Sequence, residues 1–214
     1  MFPIKEIAEK ELNIAGQLNP GPWTEHSINV GLAAQIIAQK CKNLNPHKAY
    51  ELGLLHDIGR RYGISARRHI IDGYNFAKEK GFDEISRICL THSFPVPDFD
   101  KEIGKNDMNA KESEFVRQYL KSIVYDDYDK LIILCDSLAD AQGFCMLEKR
   151  FVNTTRRYGV FPFTVERWNA TFEIKEYFEQ QMGCSVYDML PNIKETTFKD
   201  APLWKPANNN ASSH

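Results

Sequence analysis

Residues 54–63 read LLHDIGRRYG. An apolar run ends in two adjacent titratable side chains, His56 and Asp57, and Gly59 follows two residues later. Upstream, Asn45-Pro46 offers a cap followed by proline at the first helical position. The segment after it carries Leu52, Leu54 and Leu55. A helix is therefore expected from residue 46 to near Gly59, with the glycine as its C′ stop. His56 and Asp57 would sit in its last turn. Polar titratable groups beside an apolar run are costly without partners. A carboxylate there also meets the negative end of the helix dipole. A divalent cation answers both objections. Neighbouring helical residues point about 100° apart, so the pair can flank an ion but not enclose it. Further ligands must come from elsewhere in the chain.

Toward the N-terminus, Thr24 reads as the N-cap of a helix reaching about Lys42, with a stripe of Val30, Ala33, Ala34 and Ile37. His26 shares that stripe and should face the core. A shorter helix at about 3–14 precedes it, broken by Asn19-Pro-Gly-Pro22. Toward the C-terminus, helices are expected at about 67–80, ended by Gly81, and at 84–92, capped by Asp83. His69 and His92 lie at their edges. Ser93–Asp107 is a proline-bearing loop long enough to cover a site. Helices resume at about 110–123, 127–142, 144–157 and 164–182. In "KLIILCDSLADA" Asp136 shares a face with Ile132 and Ile133, and Asp140 follows one turn on as a possible supporting partner of a ligand. His47 reads as a surface residue, and His214 ends the low-complexity tail ANNNASSH, expected to be disordered.

Strand signals are almost absent. The expectation is an all-α, single-domain helical bundle of six to nine helices. Its 214 residues can bury a core without disulfide or metal staples. A net charge of −2 builds no field for a nucleic acid polymer or an acidic membrane. No run approaches the roughly 20 apolar residues of a spanning helix. The N-terminal MFPIKEIAEKELNIAG is too broken by charge to read as a signal peptide or anchor. Five cysteines with no CxxC pair read as core fillers in a reducing compartment, so the cytoplasm is expected. Mixed His and Asp donors suit Fe, Mn, Zn, Co or Ni and argue against a closed Cys-rich zinc site.

The order His26, then His56-Asp57, then Asp136 resembles the HD superfamily of metal-dependent phosphohydrolases. "AYELGLLHDIGRR" is similar to the family's helix entering its HDIG turn, and "LIILCDSLAD" to its late-Asp helix. The resemblance covers about Trp23 to Gln142 and implies a division into 1–22, an N-terminal helix and linker, 23–142, the HD domain, 143–200, a C-terminal helical extension, and the tail 201–214. It implies that His26, His56, Asp57 and Asp136 hold a first metal. "RRHIIDGYNFAKEKGF" and "ICLTHSF" resemble the segments that add a second. His69 and His92 would hold that second ion, with Asp57 as the bridge, giving one or two ions per chain.

The implied activity is cleavage of a phosphate ester of a nucleotide or other small phosphorylated metabolite. Metal-generated hydroxide would be the nucleophile, steered by Asp57. Arg60, Arg61 and Arg68 stand next to the ligands as candidate phosphate contacts, and the family favours a basic residue at Arg60. Two departures narrow the field. Thr91-His92 stands where the HD-GYP branch has His-His, and its GYP signature is missing. Arg60 also stands where deoxynucleotidase-like members have Glu. Two alternatives share the pattern: a mixed-valent di-iron oxygenase, and a non-catalytic nucleotide- or metal-sensing module. A homodimer is allowed. The region after residue 143, with its aromatics and the stretch TTRRYG, is read as either a pocket wall or a dimer surface, with no basis for choosing between them.

Overall fold

The computed structural model describes residues 3–199. The tail and His214 lie outside the described residues. The fold is all-α, as expected, with eleven α-helices and one two-residue hairpin among the described residues. In chain order these are α1 (Lys5–Leu18), α2 (Trp23–Ala38), α3 (Pro46–Leu55), α4 (Arg68–Glu79), α5 (Asp83–Thr91), α6 (Ala110–Ser122), α7 (Asp127–Leu138), β1 (Ala139–Asp140), β2 (Gly143–Phe144), α8 (Leu147–Tyr158), α9 (Thr164–Met182), α10 (Val186–Met189) and α11 (Ile193–Phe198). A 3-10 turn, Ile58–Tyr62, joins α3 to the loop before α4.

α2, α3 and α7 form the centre; α1 covers α3, and α4 pairs with α5 against the 3-10 turn. α2 and α3 touch backbone to backbone: a Cβ on Gly53 would lie 2.7 Å from Gly31 Cα. That approach sets His26 of α2 and His56 at the end of α3 with ring centres 5.4 Å apart. The cap of α3 is as expected, with Asn45 Oδ1 accepting from the amides of His47 and Lys48 at 2.9 and 3.2 Å.

Several boundaries differ from expectation. α2 starts before Thr24, because Pro22 already holds helical φ at −68° and takes the cap position. Thr24 instead donates to the carbonyl of Gly21 at 3.2 Å. Phe82, not Asp83, occupies the cap of α5, and Asp83 adds its charge in the first turn. α7 ends four residues early, at Leu138, where the chain turns into the hairpin through Gly143 at φ +128°. α10 and α11, short helices that carry the count past nine, had no clear periodicity to announce them.

Gly59 differs in its reason. It is not a left-handed helix stop. A Cβ there would lie 2.0 Å from the carbonyl oxygen of His69 and 2.4 Å from the amide of Gly73. The glycine lets the 3-10 turn lie directly on the first turns of α4. His56 is the C-cap of α3 and Asp57 the residue beyond it.

Candidate metal centre

Five segments converge on one point. α2 brings His26, the end of α3 brings His56 and Asp57, α4 brings His69, the cap of α5 brings His92, and α7 brings Asp136. The four histidines and Asp57 are buried, and Asp136 keeps a quarter of its side chain exposed. His26 Nε2 lies 2.8 Å from Asp136 Oδ1. His56 Nε2 stands 3.8 Å from both Asp57 Oδ2 and Asp136 Oδ1. Asp57 Oδ1 stands 3.2 Å from His69 Nε2 and 3.5 Å from His92 Nε2. Two triads, His26–His56–Asp57 and Asp57–His69–His92, each place one donor atom per residue within 4.8 Å of one another. Asp57 belongs to both.

The backbone fixes which nitrogen of each ring is available. His56 Nδ1 lies 2.7 Å from the carbonyl of Gly53, and His69 Nδ1 lies 2.6 Å from that of Ala66. His92 Nδ1 is 3.1 Å from the carbonyls of both Ile88 and Cys89. A carbonyl oxygen only accepts, so Nδ1 carries the proton and Nε2 presents a lone pair. His56 Nε2, His69 Nε2 and Asp57 Oδ1 are buried without a hydrogen bond. Acceptors thus face acceptors, an arrangement that is costly unless a cation lies among them.

The charges agree. Burial holds His56 down to about 4 and, with Arg60 adding, His69 down to about 3. His92 is the exception: burial pulls it down, but the Asp57 carboxylate beside it outweighs burial and moves it up. Burial would push Asp57 up, but Arg60, His56 and His69 hold it well below the usual carboxylate range. Asp136 is likewise held low against burial, chiefly by the hydrogen bond and charge of His26. Neutral imidazole and ionised carboxylate are the states a metal requires.

Not every candidate is in this place. Arg60 is: its Nε donates to Asp57 Oδ2 at 2.5 Å, and it lines the cavity above the cluster. Arg61, one residue on in a tight turn, points the other way. It lies 3.3 Å from Glu11 Oε2 with its guanidinium 4.0 Å from the centre of the Phe76 ring. Arg68 faces outward at the start of α4, paired with both oxygens of Glu112 at 2.9 Å. The expectation that these two meet phosphate is not met by their placement. Arg67, the remaining arginine of the GRR and ARR stretches, lines the cavity instead. Asp140 is no supporting partner: it lies in β1, and its Oδ1 accepts from the amide of Ala141 at 2.7 Å. Thr91 turns from the cluster, donating to Asp129 Oδ1 at 2.8 Å. Arg87 also binds buried Asp129, which ties α5 to α7 and fixes the level of His92.

The cavity measures about 670 Å³, with His26, Asp57, His69, His92 and Asp136 on its wall. Ser93, Pro95 and Glu102–Lys105 of the long loop line one side; α8 and α9 supply another through Arg150, Thr154, Arg167 and Trp168. Of the two readings left open for this segment, a pocket wall or a dimer surface, its placement on the cavity lining matches the first. Nothing in its own periodicity announces this, because the wall exists only once α8 packs on α7. Glu102 is buried and ion-paired with Arg167 at 2.5 Å, which pins the loop to α9.

A helical domain with facing, buried His and Asp acceptors under a polar cavity has a donor set that could hold a metal ion. The model of the HD domain family matches residues 23–140, more than half of the chain, and the protein belongs to that family. No curated protein and no solved structure matches the chain. No described helix is long and apolar enough to cross a membrane.

Proposed function

We propose that the protein is a phosphohydrolase that cleaves the phosphate ester of a nucleotide or other small phosphorylated metabolite, using two divalent transition ions. The observation that carries this is the set of facing acceptors at His56, Asp57 and His69. His26, His56, Asp57 and Asp136 would hold one ion, and Asp57, His69 and His92 the other, with Asp57 between them. Bound there, such ions supply a water acidified to a pKa near 7 and Lewis acidity toward phosphate oxygens. Asp57 is kept ionised and oriented by Arg60. Arg60 also offers positive charge to a phosphoryl group entering the cavity. The pocket has the size of a small-molecule site rather than a polymer groove. Residues 23–142 are read as the core and 143–200 as the extension that walls it. Five free cysteines, four of them buried, suit a reducing compartment, the cytoplasm being the proposed location.

The test is elemental analysis of protein purified without chelator, beside Asp57→Ala, followed by a screen of small phosphate esters. Two equivalents of metal, lost in the variant, with turnover of an ester, are the expected results. Protein that takes up no metal even on reconstitution would overturn the reading. Four His and two Asp donors also suit an iron pair that oxidises C–H bonds. Running the screen with and without oxygen separates the two: hydrolysis is indifferent to oxygen, oxidation is not.

A further inference from the structure

The arginines around the cavity differ in how far their donors are committed. Arg60 donates to Asp57. Arg67 donates to the carbonyls of Phe99 and Glu102. Arg167 donates to the Glu102 carboxylate and to the carbonyls of Lys101 and Ser93. Arg150 has no side-chain hydrogen bond among the described residues. Its charge contact is Nη2 to Asp136 Oδ1 at 3.9 Å, beyond hydrogen-bond range. Its side chain is 23% exposed and borders the cavity. A guanidinium with unspent donors therefore stands beside a candidate metal ligand.

The rotation of α8 that puts it there is fixed. Leu147 and Phe151 are buried. Phe151 stacks on Trp168 of α9, with ring centres 5.4 Å apart and planes 4° from parallel, and meets Phe172 edge-on at 5.5 Å. With that stripe anchored, Arg150 and Thr154, one turn apart, line the cavity, and Arg157 lines it further along. Arg60 flanks the cluster at Asp57 and Arg150 flanks it at Asp136.

We propose that Arg150 binds an anionic oxygen of the substrate's phosphoryl group beside the metal ligands, and that α8, with Thr154 next to Arg150, is the face that selects the substrate. This rests on the phosphohydrolase reading. A phosphoryl group offers several oxygens, enough for ions on one side and a planar arginine fork on another. Arg150 lies outside the segment matched by the family model, so the inference makes anion recognition a property of this chain's extension.

The experiment titrates inorganic phosphate into metal-loaded full-length protein by calorimetry, for wild type, Arg150→Gln and Arg150→Lys. Metal per chain and helical circular dichroism are measured on each sample. The expected result is phosphate affinity about tenfold or more weaker in Arg150→Gln, the scale of a lost charge-assisted hydrogen bond, with metal content unchanged. Arg150→Lys should recover part of the loss, since it keeps the charge and not the fork. Wild-type affinity in a folded, metal-loaded Arg150→Gln overturns the role of Arg150 and leaves the phosphohydrolase reading standing. Loss of metal in that variant also overturns it, by making Arg150 a support of Asp136. A metal-loaded wild type that binds no phosphate overturns both.

Discussion

His56, Asp57 and His69 set the behaviour of the centre toward protons. With His56 at about 4 and His69 at about 3 in the fold, against about 6.5 in an unfolded chain, both rings stay neutral while the unfolded chain takes up protons. Stability then falls as pH drops below about 6.5, and goes on falling until the folded values are reached. Asp57, held low, adds loss in the same direction at lower pH. His92, raised, works the other way: its contribution is present below the unfolded value and fades as pH rises through the folded one. Two depressed rings outweigh one raised ring. Chelator-treated protein should lose about 3 kcal/mol between pH 7 and pH 5, each depressed ring contributing about 2 and His92 returning less than about 1, at about 1.36 kcal/mol per unit. Urea midpoints at the two values check this; equal or greater stability at pH 5 would contradict it. His69→Ala should keep one of two ions, whereas Asp57→Ala should keep neither, as read by metal per chain. At this scale the sequence was informative about donors through their number: one buried His or Asp is more often an ordinary core residue, but four or more converging with an adjacent His-Asp pair are hard to explain that way. It was uninformative about Arg61 and Arg68, since the direction of a side chain on a tight turn or a first helical turn is not written in its spacing.

At the scale of elements, contacts between backbones matter most. Gly59 lets the 3-10 turn rest on α4 with no room for a methyl group. Gly59→Ala must separate the two, which moves His69 away from Asp57. The expected outcome is a loss of about 3 kcal/mol, at the upper end of overpacking costs, together with loss of the ion that His69 would hold. Thermal melts and metal content should therefore fail together; a variant that melts lower but keeps all its metal would show that the contact does not position His69. Most helices were legible in outline from capping residues and apolar stripes. Their ends were not, because Pro22 and the hairpin after Leu138 shift them through local geometry. The true reason for Gly59 was hidden too: a close approach involves a partner distant in space, and a glycine before a turn looks the same in either role.

For the molecule as a whole, the pinned loop and the C-terminal helices turn a cluster of candidate ligands into a walled site. In the Glu102–Arg167 pair, Glu102 is buried and Arg167 keeps little of its side chain exposed. Glu102→Gln removes the charge and leaves Arg167 under-compensated, a change that costs several kcal/mol in fully buried pairs and about 1–3 kcal/mol for one that borders a cavity. Amide exchange should quicken across residues 99–105, with metal content unchanged. Unaltered exchange would mean that the loop is held by its backbone contacts alone. This enclosure was the least legible feature in the sequence, since it depends on residues 150–171 meeting residues 93–105, and neither stretch marks the other.

The candidate ligands also lie on five segments spread between His26 and Asp136. An ion held by all of them ties together parts of the chain that are far apart when unfolded. By mass action, such an ion stabilises the fold by about 2.7 kcal/mol at a hundredfold excess over its dissociation constant. The melting temperature thus becomes a gauge of free metal, and a series of melts across different ions would rank their affinities before any substrate is known.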